Sequence, residues 1–464
     1  MKHPFIIFFC AFLCIANAQS GYQIRIKTEN ISADSLFVKA YNTKEKKYMN
    51  IYALKFGNDI TIKDKTPLIA GIYVIEADSM IVSEFLISDA KNQKFTISLS
   101  EDDLYIDGSK ENSANRAYMK KMFEFNKQLK EINDEFQKMQ QKEMPNSMMQ
   151  AFVDTFIAKF NFINDEKRVY QERIIKENKG QLLATIIQSS LEFPPPPQDY
   201  YRNRVKLFSY TSEHLFDDFP WEDDRLINTP VLYNKYKTFA QQILNLETGV
   251  AIPIVLKVLN ESKKNRNIYY VFFDFLEHDF GNIKSPYRDE KLYISMLQDI
   301  LETTDLEETR KQRYQYELNL ISKNLEGEFA TDFNILFENG DTTHLYAIEA
   351  EYLILYFQNP DCPTCGEIRE KMKNMEVLYN AIVSGKVKVV TVYFESKEEL
   401  WHNYLNSKAN KNWMHGWNYD LKISEEHLYD IRLIPTIMIL DNNKRVLRKD
   451  IFSDELESWL KKSL

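Results

Sequence analysis

Three parts of the chain differ in the spacing of their hydrophobic residues. Residues 19–110 contain short runs, such as 22–26, 36–40 and 95–99, in which apolar and polar side chains alternate. A period of two is typical of half-buried β-strands. Turn-forming residues such as Gly57-Asn58 separate the runs. The pattern predicts an N-terminal antiparallel β-sandwich domain over residues 19–110.

From residue 111 the hydrophobic period changes to that of a helix. One apolar stripe with alternating steps of three and four consists of Met122, Phe125, Leu129, Ile132, Phe136 and Met139. Such a stripe is the core-facing side of an amphipathic helix. Further helical stretches follow, interrupted by four prolines at 194–197 that favour an extended connector. We therefore expect a central helical domain over residues 111–322.

Residues 323–464 alternate between strand and helix patterns. The continuous apolar run at 352–357 is typical of a central strand covered on both faces. The other predicted elements are a strand at 333–337, a helical face formed by Ile368, Met372, Met375, Tyr379 and Ile382, strands at 387–393, 436–440 and 446–447, and a last helix at 455–462. This order predicts a C-terminal α/β domain in a multidomain α+β protein.

The first 18 residues have the features of a secretory signal peptide. A basic start at Lys2 precedes an apolar run at 5–15, and small residues stand at Ala16 and Ala18. A buried N-terminal helix is the alternative. No small residue precedes either early cysteine, so we expect no lipid anchor. Residues 5–15 are too few to span a bilayer and no later run reaches 18 residues, so we predict export without a transmembrane segment.

Composition and charge exclude some classes of partner. Hydrophobic residues make up 44% of the chain and charged residues 27%, which is typical of a globular protein. The formal net charge is -9, and we find no basic face or tail. We therefore expect no nucleic-acid partner.

The cysteines are the main candidates for chemistry. Of four, Cys10 and Cys14 belong to the predicted signal peptide, which leaves Cys362 and Cys365 in the mature chain. Their C-x-x-C motif follows the apolar strand and opens a helix. The partial positive charge of a helix N-terminus stabilises a thiolate, which favours Cys362 as the nucleophile. Cys365 lies one turn further on, where it could resolve a mixed disulfide.

Two alternatives to redox chemistry remain open for this pair. It could be an inert disulfide, or it could be half of a zinc site. Zinc would need two more ligands, and the nearest histidines, His344 and His402, each stand alone. We therefore expect no metal site.

The C-terminal segment resembles the thioredoxin superfamily, in particular exported thioredoxin-like thiol:disulfide oxidoreductases of the cytochrome-maturation and peroxiredoxin-like branch. The resemblance rests on the strand at 352–357, the Cys362-Pro363-Thr364-Cys365 motif, the following helix and a proline, Pro435, before a strand. It implies a cis Ile434–Pro435 bond and a loop, Ile434 to Thr436, that docks a substrate backbone. It also implies a redox-active disulfide and no organic cofactor.

The upstream segments are similar to a recurrent arrangement in exported proteins of Gram-negative bacteria. There an N-terminal β domain and a central helical domain precede the thioredoxin-like domain. Residues 201–203 and 224–230 carry this similarity. It implies a periplasmic location and assigns no chemistry to the two upstream domains.

Around the cysteines the sequence departs from the family pattern. Asp361 stands where thioredoxins usually have tryptophan, and Tyr356 where they often have a buried carboxylate that takes the proton of the resolving thiol. Glu367 lies one place before the glutamate frequent in the reductases. We treat these three residues, with Pro363 and Thr364, as possible modulators, and the proton-transfer group is unassigned.

These observations predict a periplasmic thiol–disulfide oxidoreductase that acts on protein substrates. A reductase, an oxidase and an isomerase would all carry the same motif, and of the three we expect a reductase. Its electrons would come from or go to a separate protein, because the mature chain has no third cysteine. The alternative is an exported binding or scaffold protein that uses a thioredoxin-like domain for recognition with little redox turnover.

Overall fold

The computed structural model describes residues 21–29, 33–100, 104–140 and 145–464. The predicted signal peptide, with Cys10 and Cys14, lies outside the described residues. The chain divides into two compact units, Met1–Leu276 and Glu277–Leu464. The domain boundaries at 110 and 322 remain predictions. In the part of the chain that is described, no helix is long and apolar enough to cross a membrane.

The first unit begins with two four-stranded β-sheets. Their strands are β1 (Tyr22–Glu29), β2 (Ser35–Asn42), β3 (Lys47–Lys55), β4 (Asp59–Asp64), β5 (Gly71–Ala77), β6 (Met80–Ile87), β7 (Lys94–Ser100) and β8 (Leu104–Asp107). The sheet orders are β4-β1-β7-β8 and β3-β2-β5-β6. The alternating residues Ile24, Val38 and Ile97 are fully buried in one shared core. All pairs are antiparallel except β1 with β7, a detail that alternation alone does not specify.

In the described part of the first unit, seven α-helices follow the sheets. They are α1 (Lys110–Gln140), α2 (Asn146–Glu177), α3 (Leu182–Ser189), α4 (Arg204–His214), α5 (Pro230–Ile243), α6 (Thr248–Ser262) and α7 (Arg266–Leu276). Met122 and Phe125 of the predicted stripe are buried in a cluster with residues of α2 and α3. The stripe predicted on α1 is therefore a packing surface.

The second unit contains two helices and a seven-stranded sheet with further helices. The first two helices are α8 (Glu290–Leu301) and α9 (Glu308–Ile321). The strands are β9 (Asn334–Phe337), β10 (Thr342–His344), β11 (Tyr352–Phe357), β12 (Val387–Tyr393), β13 (Met414–Trp417), β14 (Thr436–Asp441) and β15 (Val446–Arg448). The remaining helices are α10 (Pro363–Lys373), α11 (Glu376–Val383), α12 (Glu398–Ser407), α13 (Lys422–Glu425) and α14 (Ser453–Ser463).

Strand β11 lies in the interior of this sheet. The order is β10-β9-β13-β12-β11-β14-β15, with β11 parallel to β12 and antiparallel to β14. Leu355 and Phe357 enter one hydrophobic core, while Ile354 and Tyr356 enter the core on the opposite face. A strand buried on both faces needs a continuous apolar run, which explains the pattern at residues 352–357. The predicted α+β fold class is confirmed.

Several details of this unit differ from the sequence prediction, which also lacked β10 and α12. The single helical face from Ile368 to Ile382 is divided, because α10 ends at Lys373 and Met375 has an extended backbone before α11 begins. Tyr379 is 52% exposed and does not join the core. The sequence prediction also missed β13, a four-residue strand that contains glycine, a residue that is depleted in strands.

Candidate functional site

The C-x-x-C motif occupies the turn between β11 and α10. Cys362 is the N-cap residue of α10, and Pro363 takes the first helical position, where a missing N–H costs nothing. The backbone N–H of Cys365 donates to Cys362 Sγ at 3.2 Å. The motif therefore sits at a helix N-terminus, as predicted, with a backbone donor on the sulfur.

The two cysteines differ in access to solvent. Both are free thiols, Cys362 half-buried and Cys365 completely buried. Burial, together with the side-chain hydrogen bond to Cys362, raises the pKa of the Cys365 thiol. Only Cys362 can therefore meet a bulky external disulfide, and Cys365 can act only from within the protein.

The turn that leads into Cys362 is fixed by one asparagine. The Asn359 side-chain oxygen accepts from the Asp361 N–H at 2.9 Å, and its backbone carbonyl accepts from the Cys362 N–H at 3.1 Å. The Asn359 amide donates to Glu395 Oε1 at 2.8 Å. These bonds hold Cys362 in place before a substrate arrives.

The proline loop lies at the same edge of the sheet as the cysteines. Thr436, the first residue of β14, pairs with Phe357, the last residue of β11. The Ile434–Pro435 bond is cis, as the resemblance implied. Ile434 and Pro435 are half-buried, whereas Thr436 is buried and its hydroxyl donates to the Leu433 carbonyl at 2.6 Å. Of these three side chains, only Ile434 and Pro435 reach the surface.

Tyr356 does not fill the role of the carboxylate that the family often has at this position. Its buried hydroxyl donates to the Cys365 carbonyl at 2.6 Å. Burial raises the pKa of this tyrosine further above its ordinary value of 10, so it keeps its proton at neutral pH. The other predicted modulators, Asp361, Pro363, Thr364 and Glu367, are exposed around the turn.

A buried polar cluster behind the cysteines was missed from the sequence. Arg369, on α10, is only 4% exposed and donates from Nη1 to Gln358 Oε1 at 2.8 Å. Its guanidinium lies 5.2 Å from the centre of the Tyr404 ring, and the Tyr404 hydroxyl lies 3.1 Å from His415 Nδ1. The spacing of four between Cys365 and Arg369 places both on one helix face and could have identified the arginine.

Two family models match parts of the chain. Residues 350–446 match a family model described as thioredoxin-like, and residues 171–324 match DUF5106, a domain of unknown function. The C-terminal domain is thioredoxin-like. None of the curated proteins matches the chain.

Three solved structures are similar to parts of this chain. A thioredoxin-like protein from Bacteroides caccae is 25% identical with a TM-score of 0.55, covering 59% of this chain and 99% of that one. The C-terminal domain of an uncharacterized protein from Bacteroides fragilis is 35% identical, with a TM-score of 0.29 and coverage of 30% and 99%. The thioredoxin domain of a thiol-disulfide oxidoreductase from Bacteroides vulgatus is 19% identical, with a TM-score of 0.27 and coverage of 30% and 96%.

His415 is the buried histidine of the thioredoxin-like domain. Its Nε2 faces the Asn410 carbonyl at 2.9 Å, so this nitrogen carries the proton. Nδ1 then accepts from the Thr391 and Tyr404 hydroxyls at 2.9 and 3.1 Å. Burial lowers the pKa of His415, in agreement with a neutral ring at pH 7.

The described residues do not bring together a metal site. Within them, no group of three or more histidine, cysteine, aspartate or glutamate side chains has suitable geometry. His344 contacts Asp332 and His402 contacts Glu398, both at exposed positions.

Proposed function

We propose that the protein is a periplasmic thiol–disulfide oxidoreductase that acts as a reductase on protein disulfides. The observation that carries this proposal is the asymmetry of the cysteines. Cys362 is accessible at a helix N-terminus, and Cys365 is buried one turn away with its N–H on Cys362 Sγ. An inert disulfide would not need this difference in access.

The proposed reaction has two exchange steps. The Cys362 thiolate attacks one sulfur of a substrate disulfide, and the other substrate sulfur leaves as a thiolate. The Cys365 thiolate then attacks Cys362 Sγ, the bond to the substrate breaks, and the second substrate sulfur leaves with the electron pair. The protons lost by the two cysteines reach the substrate thiolates through solvent. The substrate gains two electrons, and the protein becomes a Cys362–Cys365 disulfide.

The proline loop is the proposed docking site for the substrate backbone. Ile434, Pro435 and Thr436 lie at the end of β14 that pairs with the end of β11. An extended substrate segment on the backbone of this loop would lie beside the turn that carries Cys362. Peptide recognition by an added strand uses main-chain hydrogen bonds and tolerates many sequences.

The proposed reaction requires a second protein as the source of electrons. Because the mature chain has two cysteines, a separate protein dithiol must reduce the disulfide again. No organic cofactor takes part. The predicted signal peptide supports a periplasmic location.

The proposal is tested on the purified mature protein with a small aromatic disulfide, 5,5′-dithiobis(2-nitrobenzoate). We expect two equivalents of thiolate from the wild type and one from Cys365→Ser, which keeps a mixed disulfide at Cys362. Cys362→Ser should react far more slowly. Trapping of the reagent at Cys365 in that variant would reverse the two roles.

The reduction potential decides the direction of the reaction. Equilibration with dithiothreitol or glutathione buffers should give about -270 mV or lower for a reductase, whereas about -120 mV would indicate an oxidant. A pair that does not exchange over this range contradicts the oxidoreductase proposal. A binding or scaffold role would then be favoured by the large first unit, to which no chemistry is assigned.

A further inference from the structure

Arg369 is a buried cation held by neutral groups. Its contacts are the Gln358 side-chain oxygen and the face of the Tyr404 ring, and both residues are almost completely buried. Its Nε is buried without a hydrogen-bond partner. Among the described residues, no carboxylate forms an ion pair with Arg369.

Burial of the Arg369 guanidinium without an ion-pair partner is unfavourable unless an anion forms near it during the reaction. Moving a guanidinium out of water is costly, and buried charges in proteins are normally paired. The group on the same helix face that can become an anion is the Cys365 thiol, one turn before Arg369. Burial is the main reason why the pKa of this thiol is raised, and the charge of Arg369 acts in the opposite direction.

The reaction needs such a charge at the resolving step. Cys365 must lose its proton inside the protein, and its burial opposes the loss. Tyr356, at the position of the usual carboxylate, donates to a carbonyl and keeps its own proton. A positive charge can favour the same deprotonation without accepting the proton, because it stabilises the thiolate directly.

We propose that Arg369 is a positioning residue that takes over the part of the missing carboxylate by stabilising the Cys365 thiolate while it attacks the mixed disulfide. The inference rests on the proposed oxidoreductase function. In this step the Cys365 proton passes to solvent, the Cys362–Cys365 bond forms, and the bond from Cys362 to the substrate breaks. The substrate sulfur leaves with the electron pair and is protonated by solvent.

Tyr356, Tyr404 and His415, which lie around Arg369, stay uncharged where the step is measured. Tyr356 on β11 and Tyr404 on α12 have pKa values raised by burial, and burial lowers the pKa of His415 on β13. Glu338 accepts from the backbone N–H of His415 at 3.0 Å. Cys362 is already bonded to the substrate at this stage, so the pH profile above neutrality reports on Cys365.

The test uses the mature full-length protein and the same aromatic disulfide reagent. It measures, between pH 6 and 10, the rate at which Cys365 releases the second nitrothiobenzoate from the mixed disulfide at Cys362. In Arg369→Met, which has a long side chain without charge, we expect this release to be at least about tenfold slower at pH 7, with its midpoint at higher pH. A shift of one pKa unit changes the thiolate fraction about tenfold. Arg369→Lys should restore much of the rate, because it restores the charge.

A matched control removes a charge from the exposed side of the same helix. Lys371→Met should leave the profile unchanged, since water screens an exposed charge. Thermal unfolding checks that each variant is folded, and Arg369→Gln replaces Arg369→Met if the latter is not. If wild type and folded neutral variants have the same profile, the role of Arg369 is wrong although the oxidoreductase proposal stands. If the wild type releases no second equivalent, both are wrong.

Discussion

At the scale of single residues, the site depends on the different surroundings of its two cysteine thiols. Cys362 and Cys365 are three positions apart, yet one meets solvent and the other is enclosed. The turn of α10 separates their side chains, and the core beneath the helix removes Cys365 from water. Identical thiols thus become suited to different steps of one exchange.

Tyr356 offers a prediction at this scale. Tyr356→Phe removes the hydroxyl that donates to the Cys365 carbonyl. We expect a loss of about 0.5–1.5 kcal/mol in the free energy of unfolding, the net value of a hydrogen bond. The pH profile of the resolving step should not change, because the tyrosine keeps its proton. Chemical denaturation measures the first effect and second-equivalent release the second. Loss of a titration in the profile would show that Tyr356 exchanges a proton.

At the scale of secondary-structure elements, β13 matters beyond its length. It lies between β9 and β12 and carries His415 into the polar cluster behind the cysteines. Its neighbour β9 approaches closely because Gly416 has no side chain. A Cβ at Gly416 would overlap the Cγ2 of Ile335, a fully buried β-branched residue of β9.

Gly416→Ala is therefore expected to destabilise the thioredoxin-like domain. Overpacking of a close-packed core typically costs about 1–3 kcal/mol, since the stiff Ile335 side chain cannot move aside. Chemical denaturation measures the loss. In a double-mutant cycle, Ile335→Ala should make the Gly416→Ala substitution less costly. Simple additivity of the two changes would contradict the steric explanation.

At the scale of the molecule, ion pairs within the second unit connect the start of α8 to the thioredoxin-like domain. Arg288, just before α8, forms ion pairs with Asp450 at 2.9 Å and with Glu290 at 2.8 Å. Lys449 also contacts Glu290 at 2.8 Å. These side chains are less than one-fifth exposed, so their interactions are only weakly screened by water. The helices α8 and α9 are thus part of the compact unit that holds the site.

Truncation tests this view. Residues 323–464 alone should be less stable than residues 277–464, because the shorter fragment lacks Arg288 and Glu290, the ion-pair partners of Asp450 and Lys449. Urea unfolding of the two fragments measures the difference. Arg288→Met in the longer fragment should reproduce part of it, while Arg448→Met, at an exposed ion pair with Glu326, should cost less than about 1 kcal/mol. Equal stability of the two fragments would contradict the prediction.

Much of the fold was predictable because local patterns and tertiary packing agree. The strand at 387–393 has the predicted limits, and β11 differs from an amphipathic strand by its continuous apolar run. The hairpin of β14 and β15 and the final helix also follow their patterns. The break between α10 and α11 could not be predicted, because the helical spacing of the apolar residues continues through it. The backbone at Met375 is nevertheless extended and ends the helix.

The sequence by itself determined the position of the C-x-x-C motif between a strand and a helix, since hydrophobic period and proline placement are local properties. Tertiary structure alone decided which thiol is buried, because burial depends on what packs over the helix. It also decided that Arg369 lies among Gln358 and Tyr404 without a carboxylate. These residues are distant or unremarkable in the sequence, and only the packing of β11, α10 and α12 brings their charges and dipoles together.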